Sequence, residues 1–218
     1  MNNLNLLQKA LVWALPVLFA VTVHEVAHGW VASKCGDNTA KRLGRLTLNP
    51  VSHIDLMGTL VIPLLCLTFG NFIFGWAKPV PVNPYNLKNF KRDSALVAAA
   101  GPVSNLLMAL IWGGIAKLGF ILLPAWGPNA QFLVYTGGAG VAINCMLMVL
   151  NLLPIPPLDG SRVLSSVLPN KWVRPYEAIE PYGFFILLLL MFSGALSVVL
   201  GPLLGVSQAL IYSIFALR

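Results

Sequence analysis

The stretch 21–30, VTVHEVAHGW, places two histidines and a glutamate at a spacing that could hold a metal ion. On a helix, residues four apart lie on the same face, so His24 and His28 could each offer a ring nitrogen to one ion. Glu25 lies about 100° around the helix, close enough to reach a metal-bound water without being a ligand. This HExxH arrangement is typical of zinc peptidases, in which the glutamate is the general base. The alternative is a pair of core histidines that are hydrogen bonded to other helices.

A catalytic zinc generally has three protein ligands and one open position, so a third ligand is expected. Asp159 is the best candidate, because it follows a long apolar segment in the proline-broken stretch NLLPIPPLDG. Prolines cannot continue a helix, and the extended backbone that they force could turn the carboxylate back into a cavity. The alternative is a loop aspartate that caps the following helix. His53, in LNPVSHIDLMG, is a rival ligand, although we favour a polar loop residue or a helix cap.

Two asparagines lie close to these motifs in the sequence. Asn151 falls in the last turn of the fourth apolar segment, where its amide could orient a substrate carbonyl or stabilise an oxyanion. It could equally join two helices by a hydrogen bond. Asn105, in GPVSN, is expected to serve helix packing, with a role in the site as the alternative.

The elements that carry these residues belong to a membrane protein. Hydrophobic residues make up 57% of the 218 residues and charged residues only 10%, whereas a soluble domain has about a quarter charged residues. We therefore expect a chain that contacts the lipid bilayer and has no separate soluble domain. The net charge of +7 is typical of basic cytoplasmic loops and does not indicate nucleic-acid binding. Ionisable residues at membrane depth are usually functional, which favours the metal site over core histidines.

Five apolar segments reach membrane-spanning length, and a sixth is weaker. They are 6–33, 56–76, 95–123, 132–153 and 182–200, with the weaker one at 203–217. The expected fold is an all-α polytopic bundle of about five to six transmembrane helices, with a re-entrant segment and a short extended stretch. It forms one integral membrane domain over 1–218, with a motif-bearing core at about 6–168 and C-terminal helices at about 181–217.

The position of Asp159 constrains the topology. Four complete crossings would place it on the side opposite the end of the first segment, away from His28. We therefore expect the segment 56–76, which glycines and a proline interrupt, to re-enter the membrane instead of crossing it. The three basic connections then share one side, and the positive-inside rule makes that side cytoplasmic.

The combination of motifs resembles the site-2 protease family of intramembrane zinc metalloproteases. HEVAH, GPVSN and NLLPIPPLDG carry this resemblance, and FGWAKPVPVNP and LNPVSHIDLMG are similar to its compact bacterial and archaeal branch, without a PDZ or CBS domain. The resemblance implies that His24, His28 and Asp159 bind zinc, that Glu25 is the catalytic base and that Asn151 helps to hold the substrate. It also implies an active site within the cell membrane near the cytoplasmic side. The stretch 78–82 would engage the substrate as an added strand.

The expected function is therefore a zinc-dependent endopeptidase that cleaves transmembrane segments of membrane proteins. Two other classes of protein could use the same polar cluster: a divalent-metal transporter and an inactive membrane adaptor. A transporter needs polar residues along a path to both faces, whereas these residues cluster towards one face. The intact base and ligand set argues against an inactive adaptor.

Overall fold

The computed structural model describes residues 4–62, 68 and 75–217, which form helices joined by irregular connections. The α-helices are α1 (Leu6–Lys34), α2 (Thr39–Arg42), α3 (Phe90–Trp126), α4 (Pro128–Asn151), α5 (Asp159–Val167), α6 (Asn170–Glu177), α7 (Gly183–Phe192) and α8 (Ala195–Ile214). Shorter turns lie at Pro50–His53, Pro84–Asn86 and Glu180–Tyr182, and a π-helical turn lies at Leu56–Val61. No β-strand occurs in this part of the chain, which confirms the all-α class.

Five of the described helical stretches are long and apolar enough to cross a membrane. They are Leu7–Lys34, Phe90–Trp126, Pro128–Asn151, Asn170–Phe192 and Ala195–Ile214. A helix rises about 1.5 Å per residue, so about 20 residues cross a hydrocarbon layer of about 30 Å. These lengths confirm the prediction of a polytopic membrane protein.

Helices α1, α3 and α4 pack closely around the centre of the bundle. Trp112 of α3 and Val141 of α4 are buried in one apolar cluster, which Ile211 of α8 completes. A Cβ at Gly140 would lie 2.1 Å from Trp112, so only glycine permits this approach of α3 and α4. Gly137, where a Cβ would lie 2.5 Å from the Ala116 backbone, and Gly140 therefore serve helix packing.

The basic connections meet at one end of the bundle. The Lys88 amide before α3 donates a hydrogen bond of 3.1 Å to the Cys35 carbonyl after α1. Lys91, in the first turn of α3, donates through Nζ to the Asn170 side chain at the start of α6, at 2.6 Å. The chain segments that follow α1, precede α3 and follow α5 are thus neighbours, as the predicted topology requires.

Re-entry of the segment 56–76 depends on residues 63–67 and 69–74, which lie outside the described residues. The described residues on either side are hydrogen bonded to each other. The Trp76 amide donates to the Gly58 carbonyl at 3.0 Å, and the Thr59 hydroxyl donates to the Trp76 carbonyl at 3.0 Å. Both ends of the segment therefore lie at the same place beside the bundle.

Residues 75–83, which begin at the end of this segment, form no helix and lead to the turn at Pro84–Asn86. Asp37 anchors them to the end of α1, because its carboxylate accepts hydrogen bonds from the Asn83 amide at 2.7 Å and the Asn86 side chain at 2.9 Å. The amide and hydroxyl of Thr39 also donate to it. Burial raises the pKa of Asp37, but these hydrogen bonds outweigh burial and leave the pKa below its ordinary value.

Three boundary predictions are wrong. The apolar run 182–200 is not one helix, because Gly194 adopts φ +76 and separates α7 from α8. Glycine adopts this left-handed conformation readily and often ends a helix, whereas hydropathy does not detect it. Residues 203–214 of the weaker segment 203–217 are accordingly the C-terminal part of α8. Helix α3 begins five residues before the predicted start, since the Asn89 side chain caps it by accepting from the Arg92 amide at 3.2 Å.

Candidate metal centre

Three side chains from distant parts of the chain converge at the centre of the bundle. His24 and His28 lie one turn apart on α1, and Asp159 is the first residue of α5. Oδ2 of Asp159 lies 3.2 Å from Nε2 of His24 and 3.4 Å from Nε2 of His28, and the two nitrogens are 3.1 Å apart. Ligand atoms bound tetrahedrally to zinc at 2.0–2.1 Å are about 3.3–3.4 Å from each other. The triangle therefore has the dimensions of one face of a zinc site.

The hydrogen bonds on the far side of each imidazole ring determine which nitrogen faces the centre. Nδ1 of His24 lies 2.6 Å from Oδ1 of Asn105, and Nδ1 of His28 lies 2.7 Å from the Val97 carbonyl. Both partners are carbonyl oxygens, which only accept hydrogen bonds, so each Nδ1 donates. In the neutral ring, Nε2 then keeps its lone pair. Oδ2 of Asp159 is buried and has no hydrogen-bond partner among the described residues.

With both rings neutral, three electron-pair donors thus face each other without a proton to share. Such an arrangement is repulsive unless a cation lies between the donors. Two imidazoles and one carboxylate are a common ligand set of catalytic zinc, with the fourth position open. The arrangement fits zinc. Among the described residues, His24, His28 and Asp159 form a group of potential metal ligands whose ligand atoms all lie within 4.8 Å of one another.

Asp159 reaches this position because the chain turns sharply after α4. The prolines at 154, 156 and 157 end the helix, and α5 starts with Leu158 as its N-cap, without a capping side chain. A Cβ at Gly160 would lie 2.3 Å from the Leu152 carbonyl, so glycine is required where α5 returns to the end of α4. The Asp159 side chain therefore faces the histidines and does not cap the helix.

Gly101 provides the space for the two imidazole rings. It lies on α3, opposite α1, and a Cβ at this position would lie 2.4 Å from Cε1 of His24 and 2.5 Å from Nε2 of His28. Any larger residue would occupy the volume of the two imidazole rings. Sequence reasoning missed this role, although the glycine that opens GPVSN was visible.

Glu25 is held by the irregular stretch 75–83. Its Oε2 accepts a hydrogen bond of 2.8 Å from the Val80 amide. Val80 is 6% exposed, and its side chain packs against Gly29 of α1, where a Cβ would lie 2.7 Å from Cγ1 of Val80. The backbone N–H of Val80 therefore fixes one carboxylate oxygen of Glu25, the residue that follows His24 in the sequence.

Comparison with known proteins identifies the family of this chain. The sequence model of "Peptidase family M50" matches residues 119–193. A Bacillus subtilis protein named "Putative zinc metalloprotease YwhC" is 39% identical over 207 residues, which cover 93% of this chain and 90% of that protein. The chain belongs to peptidase family M50, the site-2 protease family.

More distant M50 relatives are longer than this chain. "Putative zinc metalloprotease Rip2" of Mycolicibacterium smegmatis is 30% identical over 83% of this chain and 66% of its own length. "Zinc metalloprotease MJ0392" of Methanocaldococcus jannaschii is 22% identical over 89% of this chain and 47% of its own length. No solved structure matches the chain. The M50 relatives carry zinc in their names, in agreement with the ligand set.

The other predicted site residues of this M50 chain are Asn105, His53 and Asn151, and each has different hydrogen-bond partners. Asn105 was expected to serve packing, but it is fully buried and contacts His24. His53 is also buried, and its Nε2 donates to the Thr47 carbonyl at 2.9 Å. It is not part of the closely spaced ligand group, which agrees with the favoured interpretation as a loop residue. The Asn151 amide donates to the Leu147 carbonyl of its own helix at 3.0 Å, and its role towards a substrate stays a prediction.

Sequence reasoning also missed Asn144 of α4. Its side chain is fully buried and accepts a hydrogen bond of 3.0 Å from Asn105. The signal was available, because an amide in the middle of the apolar segment 132–153 needs a hydrogen-bonding partner within the protein.

Proposed function

We propose that this chain is an intramembrane zinc-dependent endopeptidase that cleaves transmembrane segments of membrane proteins. In this proposal His24, His28 and Asp159 hold the zinc and Glu25 is the catalytic base, all within one membrane-embedded domain. The observation that carries the proposal is the convergence of three potential ligand atoms, one of which comes from a part of the chain about 130 residues away. Membership of family M50 and a ligand-bearing helix of spanning length support it.

Each residue around the proposed metal has its own role in the hydrolysis. Zinc, when bound, lowers the pKa of a water towards neutrality and polarises the scissile carbonyl. Glu25 takes the proton of the attacking water and passes it to the leaving amine. The Val80 amide holds Oε2 of Glu25, so that Oε1 is available for this proton. The Asn151 amide has a second N–H that could stabilise the oxyanion.

The site is proposed to open towards the cytoplasm. Its ligands lie near the C-terminal half of α1 and the start of α5, and the basic connections meet at that end of the bundle. Lysine and arginine are concentrated on cytoplasmic loops of membrane proteins. Water would reach the metal from that side of the cell membrane.

The expected substrate is a transmembrane helix that unwinds locally. A helix hides its carbonyls in i→i−4 hydrogen bonds, so a peptidase must open it before attack. Segments that contain glycine or proline open at lower cost and should be cleaved most readily. The proline-rich stretch 78–82 beside Glu25 is the proposed place for the unwound segment.

Zinc content and cleavage test the proposal together. Wild type should bind one zinc per chain, and both His24→Ala and Asp159→Ala should lose it. Glu25→Gln should retain zinc but lose cleavage of a single-span membrane protein in proteoliposomes, since glutamine cannot take the proton. Metal uptake into the same vesicles that survives Glu25→Gln would instead support a transporter. A wild-type protein that binds zinc but does not cleave the substrate would instead support an inactive membrane adaptor.

A further inference from the structure

We propose that Asn144 is a positioning residue of the zinc site, which acts on His24 through Asn105. The inference rests on the proposed function, because it takes His24 as a zinc ligand. Asn144 lies on α4 and hydrogen bonds to Asn105 and to its own helix. It therefore influences the metal only by fixing the group that contacts His24.

His24, Asn105 and Asn144 form a hydrogen-bonded relay, in which each side chain donates to the next. Nδ2 of Asn144 donates to the Gly140 carbonyl at 2.9 Å, which leaves its Oδ1 facing α3. Nδ2 of Asn105 donates to this oxygen at 3.0 Å and to the Ala20 carbonyl of α1 at 3.2 Å. Oδ1 of Asn105 then faces His24 and accepts from Nδ1 at 2.6 Å.

The relay determines the tautomer of His24. If the Asn105 amide were reversed, its oxygen would face two other acceptors, the Ala20 carbonyl and Oδ1 of Asn144. Its NH2 group would face Nδ1 of His24, and the ring proton would move to Nε2. A proton on Nε2 occupies the lone pair that a metal needs. By holding the amide in its present orientation, Asn144 and the Ala20 carbonyl keep this lone pair free.

The two histidines differ in how their tautomers are set. Nδ1 of His28 donates to a backbone carbonyl, that of Val97, whose oxygen cannot exchange places with a donor. His24 depends instead on a side-chain amide that could rotate. Only His24 should therefore respond to a change at Asn144, which provides an internal comparison within one site.

The first test measures zinc affinity of the full-length protein in detergent, by competition with a chelator of known affinity. Groups that orient a metal ligand typically change metal affinity 10–100-fold. We expect about a tenfold loss in Asn144→Leu, because the Ala20 carbonyl still orients Asn105, and a larger loss in Asn105→Leu. Val141→Ala is the matched control, since Val141 is equally buried one turn earlier on α4 but lies outside the relay. It should bind zinc as wild type does.

The second test observes the tautomer directly. The chain has three histidines, so 15N NMR of histidine-labelled protein resolves each ring after removal of zinc, at an alkaline pH where the imidazoles are neutral. Wild type should show Nδ1–H for His24 and His28 and Nε2–H for His53, whose Nε2 donates to Thr47. In Asn144→Leu, only His24 should shift towards Nε2–H. If this variant does not fold, Asn144→Ser serves, because a helical serine bonds back to its own helix and does not reach Asn105.

The outcomes separate this inference from the proposed function. Wild-type affinity together with an unchanged His24 tautomer in Asn144→Leu would overturn the role of Asn144. An affinity loss that Val141→Ala shares would also overturn it, because the cause would be packing. A wild-type protein that binds no zinc would refute the proposed function instead, and the NMR measurement would still decide whether Asn144 orients His24.

Discussion

Replacing Gly101 by alanine should abolish zinc binding, although it is a change of one methyl group. The added Cβ would lie 2.4 Å from Cε1 of His24 and 2.5 Å from Nε2 of His28, whereas non-bonded atoms normally approach to about 3.5 Å. Each ring would have to move by about 1 Å, but Asn105 and Val97 hold both rings at Nδ1. A metal site tolerates deviations of only about 0.2 Å in ligand distance.

Zinc per chain, measured by mass spectrometry on the purified protein, is the assay, with thermal unfolding as a test of folding. We expect one zinc in wild type and none in Gly101→Ala, with the helices retained, because alanine favours a helix over glycine by about 1 kcal/mol. Gly138→Ala is the matched control, since it also changes a helical glycine but no atom lies within 4 Å of its added Cβ. Wild-type zinc affinity in Gly101→Ala would refute the reasoning.

Four further outcomes are expected. Val80→Pro removes the N–H that holds Glu25 and should lower kcat about tenfold with zinc retained, whereas Val80→Ala keeps the N–H and should not. Asp37→Asn should unfold more easily than wild type at pH 7. Because the pKa of Asp37 is lowered by folding, its contribution is present above about pH 4 and disappears as the pH falls through the folded pKa, so the two unfolding curves should converge in acid. Gly194→Ala should lower the free energy of unfolding by about 1 kcal/mol, since φ +76 is strained for alanine, and leave zinc content unchanged. Removal of zinc by a chelator should lower the unfolding temperature of wild type but not that of Asp159→Ala.

The convergence of the proposed ligands was predictable because their signals are local. The i, i+4 spacing of His24 and His28 fixes them on one face of any helix. Asp159 could be found because prolines must break the helix before it and a glycine follows it. Neither inference requires knowledge of how the helices pack against each other.

The groups that orient the ligands were not predictable in the same way. Whether Asn105 faces a neighbouring helix or the lipid depends on the rotation of α3 about its axis, which close contacts such as Gly140 against Trp112 determine. The hydrogen bond from the Val80 amide to Glu25 could not be predicted from residue types, because a backbone N–H does not depend on the side chain. The break at Gly194 was missed for a related reason, since a left-handed residue leaves the hydropathy of its segment unchanged.

The bilayer explains why the polar groups of this centre form one connected set. In hydrocarbon no water is present to satisfy a donor or an acceptor, so each buried polar group must find its partner within the protein. His24 and His28 meet this requirement at Nδ1, through Asn105 and Val97. Their Nε2 lone pairs and Oδ2 of Asp159 face one another as acceptors only, and no rotation of these side chains supplies the missing donor. A cation would satisfy all three groups at once, and the proposed zinc would therefore complete the hydrogen-bonding and charge balance of the fold as well as supply the chemistry.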